Sequence, residues 1–233
     1  MADVTALQRT LGISLSDASL LEQALVHSSY VNENPGATQQ SNEKLEFLGD
    51  AILDLIIAEK LYRDFPQFSE GEMTRLRAAL VRRDALARVA KVVKLGDCLY
   101  LGKGEEASGG RSKPSNLASA LEAVVAAVFL DQGLAAVTDF VLRIFDKELP
   151  RAVSRGALAD YKSRLQELVQ GRQQATPVYH LLEARGPAHD QTFTVEVRVA
   201  DTVLGRGSGK SKKLAETEAA RLALERLLSD FTA

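Results

Sequence analysis

Glu46 and Asp50 stand four residues apart in the stretch 42–60, NEKLEFLGDAILDLIIAEK. On a single helix, Glu43, Glu46, Asp50 and Asp54 stack along one side, at spacings of three, four and four. Like charges so placed repel by roughly 0.2–0.5 kcal/mol per pair. Neither Lys44 nor Lys60 stands three or four positions from Glu46 or Asp50 to relieve them. A solvated face of a half-buried helix has the same pattern, so the stripe alone decides nothing. Glu122 adds a second, independent signal. It is the only charged residue of the run 116–130, NLASALEAVVAAVFL. A run this apolar is buried on most sides, and an ionised carboxylate within it is costly unless it is paired or binds a metal. Arg75, Arg77, Arg82 or Arg83 could pair with it. Otherwise, inward acids on two apolar helices suit a hard cation, since Mg²⁺ prefers carboxylate oxygen and water. Two such ions about 3.5–4 Å apart activate a water and stabilise the leaving oxygen in phosphodiester hydrolysis. Glu46, Asp50 and Glu122 have the chemistry to hold them.

These acids need a rigid helical frame, and the chain is long enough to supply one. It has 233 residues, 45% of them hydrophobic and 26% charged, which is a soluble, globular composition. The formal net charge is only −2, so any surface for a polyanion must be local. A single cysteine, Cys98, excludes an internal disulfide framework and fits a reducing cytosol. The first residues, MADVTALQRTLG, contain neither a basic n-region nor a long apolar run, so no signal peptide or membrane anchor is expected. The 116–130 run is too short to span a bilayer and has an acid in its middle.

Helices are predicted over 4–13 and 19–27, the second opened by a capping box from Ser19 to Glu22 and closed by His27. Residues 31–40 read as a polar loop. After the acid-bearing helix, a second capping box, Ser69 to Glu72, opens a helix running to about Val92. The glycine-rich segment 102–115, GKGEEASGGRSKPS, lacks the order of a phosphate-binding P-loop and no strand precedes it, so no nucleotide cofactor is expected. Gly133 is placed to end the Glu122 helix, and a further helix, 134–149, should stop at Pro150. The region 1–150 therefore reads as an all-α domain. Residues 151–158 read as a linker.

Beyond the linker the hydrophobic period changes. A helix at 161–170 precedes strands at 178–184, 192–199 and 202–207, with Phe193, Val195, Val197 and Val199 on one face. An alanine-rich helix follows at 211–228. The order α-β-β-β-α over 159–229 is a small α+β domain with two helices on one face of a meander. Lys210, Lys212 and Lys213 cluster where the last helix begins. Cations at that end oppose the helix dipole, whereas free N–H groups and lysines together make an anion site.

NEKLEFLGDAIL resembles the signature of bacterial ribonuclease III, and ALEAVVAAVFLDQG resembles that family's second acidic motif. The resemblance extends over nearly the whole chain and implies the ribonuclease III fold followed by a double-stranded RNA-binding domain. It implies a homodimeric endoribonuclease that is Mg²⁺-dependent, with Mn²⁺ able to substitute. Duplex RNA would be cut to 5′-phosphate and 3′-hydroxyl ends, processing ribosomal and other structured precursors in the cytoplasm. By position, Asp50 and Glu122 match the acids usually called catalytic, and Glu46, Asp50 and Glu122 match metal-site acids. Glu43 and Glu70 match accessory acids near the processing centre and dimer interface. Phe47 matches a residue that plugs into the partner subunit, although on the residues alone it reads as a core phenylalanine. Ser119 occupies a metal-site position where the family most often has aspartate. A hydroxyl there holds a metal-bound water but adds no charge, so weaker metal affinity is expected. In the second domain the resemblance implies RNA contacts at Gln166 and Glu167, at His189 in the 186–190 loop, and at Lys210, Lys212 and Lys213. Such domains read the shape of about 16 base pairs through phosphates and 2′-hydroxyls.

Overall fold

The computed structural model describes residues 4–36, 40–173, 175–187 and 191–229, with side chains described outside 154–160, 172–173 and 228–229. The chain divides into two compact units, Met1–Ala152 and Val153–Ala233.

The first unit is helical. Its centre is the pairing of α4 (Glu43–Asp64) with α8 (Pro114–Ile144). Leu45, Ile52, Leu53, Ile56, Ile57 and Leu61 form the buried side of α4, and Leu117, Leu121, Val124, Val125 and Val128 face inward from α8. By length and composition α8 would suffice to cross a bilayer, but here α2 (Ala18–Ala24), α4 and α6 (Arg83–Val92) pack against it as the core helix. It breaks at Gly133, where φ is +80°. Only glycine adopts that backbone at low cost, as its expected role as a helix terminator requires. The helix beyond it ends at Ile144 rather than at Pro150, and a new helix, α9 (Glu148–Gln173), starts before the proline. Pro150 thus sits in a first turn, where its missing N–H has no intrahelical partner to lose. The segment 151–158 read as a linker lies within α9.

Several local expectations shift by a cap. α1 is Val4–Leu11, and α2 begins at Ala18, so Asp17 rather than Ser19 is its N-cap, accepting from the Ser19 backbone N–H at 2.9 Å. His27 opens a short helix, α3 (Ser28–Glu33), which runs into the segment 31–40 expected as a loop; its Nδ1 accepts from the Ser29 backbone N–H. The Ser69–Glu72 capping box forms as expected at the start of α5 (Glu70–Val81). The helix foreseen to Val92 is instead interrupted at Arg82, which is extended. Leu76 and Leu80 mark the buried face of α5, while Ala85, Leu86, Val89 and Ala90 mark that of α6. With Ala87, which is also buried, these residues would spread over more than half the circumference of one straight helix, and the break at Arg82 divides them between two. The glycine-rich segment holds a short helix, α7 (Lys103–Ala107), and a strap for the start of α8. In that strap, the Arg111 guanidinium donates to the carbonyls of Gly96, Asp97 and Leu99, and Asn116 Nδ2 donates to Glu105.

In the second unit, β1 (Val178–Arg185), β2 (Thr192–Val199) and β3 (Thr202–Gly209) form an antiparallel meander in chain order. Alternation along β2 buries Val195, Val197 and Val199, and the last two share a core with Leu165 and Val169 of α9. Ala219, Ala220, Ala223 and Leu224 of α10 (Lys212–Ser229) complete it, so the alanines pack helix on sheet. The outward residue Glu196 is nevertheless almost inaccessible, because Arg198 and Arg206 lie over it in ion pairs.

Candidate active site

The two acid-bearing helices meet at Gly49. A β-carbon there would lie 1.8 Å from the Glu122 carbonyl oxygen, so only glycine permits this approach of α4 to α8. Sequence reasoning passed over Gly49. Its signal was a glycine between two acids inside a helix, where glycine otherwise costs about 1 kcal/mol against alanine. The close approach brings Glu46 and Asp50, one turn apart on α4, to the same cavity as Ser119 and Glu122 of α8. That cavity measures about 590 Å³; Glu43, Phe47, Arg83, Ser115 and Ala118 complete its lining.

Glu122 lies half-buried among these acids. No arginine pairs with it among the described residues. Burial, and after it the charges of Asp50, Glu46 and Asp54, push its carboxyl up from the ordinary 4.5 to about 8. The Ser119 hydroxyl donates to Glu46 Oε1 at 2.9 Å, linking the two helices at the place where the chain has no aspartate. Glu43 accepts from Ser41 Oγ at 2.7 Å at the cavity's edge. The fourth acid of the stripe, Asp54, does not line the cavity. Its Oδ2 stands 3.8 Å from Arg77 of α5, and its other oxygen is buried without a hydrogen-bond partner. Among the described residues no three acid, histidine or cysteine side chains close into a finished metal cage; the acids surround an open space.

Two further candidates lie on other surfaces. Phe47 is 82% exposed, so the core reading of this residue fails: its position on α4 points away from the packed side. Leu55 and Tyr62, exposed on the same helix, continue its line at intervals of eight and seven residues. Glu70 is not brought to the acid cavity of its own chain. It lines a mainly apolar recess of about 480 Å³ with Leu55, Tyr62 and Met73, and accepts from Thr74 Oγ1 at 2.9 Å.

In the second unit, Gln166 and Glu167 are exposed on α9. Lys210, Lys212 and Lys213 are exposed around the start of α10, where Ser211 Oγ caps the helix by accepting from the Leu214 N–H. His189 lies outside the described residues.

Comparison with known proteins agrees with this division. Residues 17–148 match the family described as Ribonuclease-III-like, and residues 161–227 match the Double-stranded RNA binding motif. A helical nuclease unit followed by a duplex-RNA-binding unit defines an endoribonuclease. Ribonuclease 3 of Dehalococcoides mccartyi strain 195 is 52% identical over 100% of this chain and 98% of its own length. Ribonuclease 3 of Roseiflexus sp. RS-1 is 47% identical, over 96% and 95% respectively. The nuclease domain of ribonuclease III from Campylobacter jejuni, for which a region involved in dimer formation is described, superposes with a TM-score of 0.59. It is 38% identical and covers 64% of this chain and 99% of that domain. The chain belongs to the ribonuclease III family, and its activity is endonucleolytic on double-stranded RNA.

Proposed function

We propose that the acid-lined cavity is the hydrolytic centre and that it works with Mg²⁺, Mn²⁺ being able to substitute. Glu122 carries the reading: a half-buried carboxyl, unpaired with any described arginine and raised to about 8 by burial and by its acidic neighbours. Carboxylates left in mutual repulsion around open space, with a hydroxyl beside them, suit a hard cation that takes oxygen ligands and keeps water. Glu46, Asp50 and Glu122 would hold it, with Ser119 orienting Glu46. When bound, such an ion supplies an activated water and charge stabilisation at the phosphoryl oxygens. The chain's own part is to fix the acids on two helices locked at Gly49, and to hold their charges out of contact with arginine. The products are 5′-phosphate and 3′-hydroxyl ends, and the natural targets are ribosomal and other structured precursors.

The working molecule is a homodimer. Phe47, Leu55 and Tyr62 leave a large apolar stripe exposed on α4, and an isologous pair of chains would cover it. In such a pair Phe47 docks into the partner, and Glu43 and Glu70 act as accessory acids. The second unit grips the duplex through Lys210, Lys212 and Lys213, with Gln166, Glu167 and His189 reaching the grooves. The site of action is the cytoplasm, where the lone Cys98 stays a thiol. Incubating the full chain with a perfect RNA duplex and Mg²⁺, against an EDTA control, tests the centre. Cleavage only in the Mg²⁺ arm is expected; an intact duplex in both arms, or equal cutting in both, would overturn it.

A further inference from the structure

Four carboxylates, Glu43, Glu46, Asp50 and Glu122, line the cavity that must receive a polyanionic strand, and among the described residues Arg83 is the one cation lining it. The interruption at Arg82 places it there: Arg82 is extended, and Arg83 is the first residue of α6. Several arginines of this unit are committed to acids, whereas Arg9 and Arg143 donate to backbone carbonyls. Arg77 faces Asp54, Arg88 holds Glu148, and Arg111 holds Glu106. Arg83 differs from them. Its side chain is exposed, and it makes no hydrogen bond or ion pair with any described residue, despite the acids across the cavity. A guanidinium serving as counter-ion to those acids would pair with one of them. One that stays unpaired at the rim keeps its donors available for an incoming group, and its planar fork matches the oxygens of a phosphate.

We propose that Arg83 is a substrate-positioning residue, binding a backbone phosphate of the RNA beside the bond to be cut; this deepens the hydrolytic reading of the same cavity. The interaction would draw the strand against the repulsion of the acids and set its register over Glu122. Phosphate binding carries no base information, so the effect should be uniform across duplex sequences.

The test compares the full chain with Arg83→Gln and Arg83→Lys, measuring kcat/KM for a perfect RNA duplex in Mg²⁺ over a range of KCl. Removing one charge-assisted hydrogen bond is expected to lower kcat/KM by about tenfold in Arg83→Gln. The slope of log(kcat/KM) against log[KCl] should become shallower by about one. Arg83→Lys should restore the slope, because the charge returns, while recovering only part of the rate, because the fork does not. Unchanged thermal unfolding of both variants, expected of an exposed and unpaired side chain, separates this from a structural defect. A native slope in Arg83→Gln overturns the proposal. So does a variant whose only change is half-maximal activity at lower Mg²⁺, because that marks Arg83 as a counter-ion to the acids. A native chain that leaves the duplex intact removes the hydrolytic reading itself; one that cuts while Arg83→Gln behaves as native removes only the role of Arg83.

Discussion

The helical unit and the smaller α+β unit each withdraw a carboxylate from water, and they treat it in opposite ways. Glu122 is half-buried beside Asp50 and Glu46 and is pushed up to about 8. Glu196 is covered on the open face of the sheet by Arg198 and Arg206, whose hydrogen bonds and charges hold it below the ordinary carboxylate range. Both acids lie on regular elements among apolar neighbours. What separates them is the partner: cations beside Glu196 favour its charged form, whereas like charges and burial around Glu122 disfavour it. The same contrast runs through the arginines, with Arg198 and Arg206 committed to an acid and Arg83 uncommitted.

The sharpest way to break this contrast is to remove the unpaired acids. Asp50→Asn and Glu122→Gln are each expected to lower duplex cleavage by at least about 10²-fold, the lower end of what one positioned catalytic group contributes. Gel-shift binding of the duplex should persist, because the lysine-bearing unit is untouched; cleavage within threefold of native (~0.6 kcal/mol by transition-state arithmetic) would sink the assignment. The converse change, Lys210, Lys212 and Lys213 together to Gln, should weaken duplex binding. The salt slope of binding should flatten by about one for every phosphate that is no longer neutralised. A slope that does not change would show that these lysines are merely solvated.

Gly49→Ala presses a methyl group into the Glu122 backbone. Overpacking of this kind costs about 1–3 kcal/mol, visible as a lower midpoint in urea with unchanged slope. A midpoint equal to native would mean that α4 and α8 part easily and that the close approach is incidental.

The two acids also predict opposite limbs of a stability–pH profile in EDTA. Glu122 has a raised folded value, so the folded state holds its proton more tightly than the unfolded chain. Stability from this group is therefore full below about 4.5, falls as pH rises, and levels off above about 8. Glu196 has a lowered folded value, so its contribution is present above the ordinary carboxylate range and is lost as pH falls below that range through the lowered folded value. Thermal unfolding of Glu122→Gln should lack the decline toward pH 8, and that of Glu196→Gln should lack part of the acid limb. Identical profiles in all three proteins would erase the distinction. The smallest effect is expected from Ser119→Asp. It replaces the hydroxyl donated to Glu46 with a charge, and should shift half-maximal Mg²⁺ to lower concentration by less than about tenfold, or ~1.4 kcal/mol. An unmoved Mg²⁺ titration would place Ser119 outside the reach of the ion.

Much of this molecule was legible from local pattern. The phase of Glu46 and Asp50, the Ser69–Glu72 box, the stop at Gly133 and the alternation along β2 all arise within one or two turns or a few strand residues. Backbone geometry acts over that range, so neighbouring residue types are enough to set such features. It also isolated Glu122, since a lone charge in an apolar run is conspicuous in any fold. Partnership was settled elsewhere. Which arginine meets which acid, that Asp54 leaves the site for Arg77, that Phe47 faces outward and that Arg82 breaks a helix all depend on segments distant in the chain. These follow from the packed fold alone, because pairing and burial are set by which surfaces come into contact, and one helix cannot specify what packs against it. Gly49 sits at the junction: a plain glycine in the sequence, and in space the point where two helices touch and the acids meet.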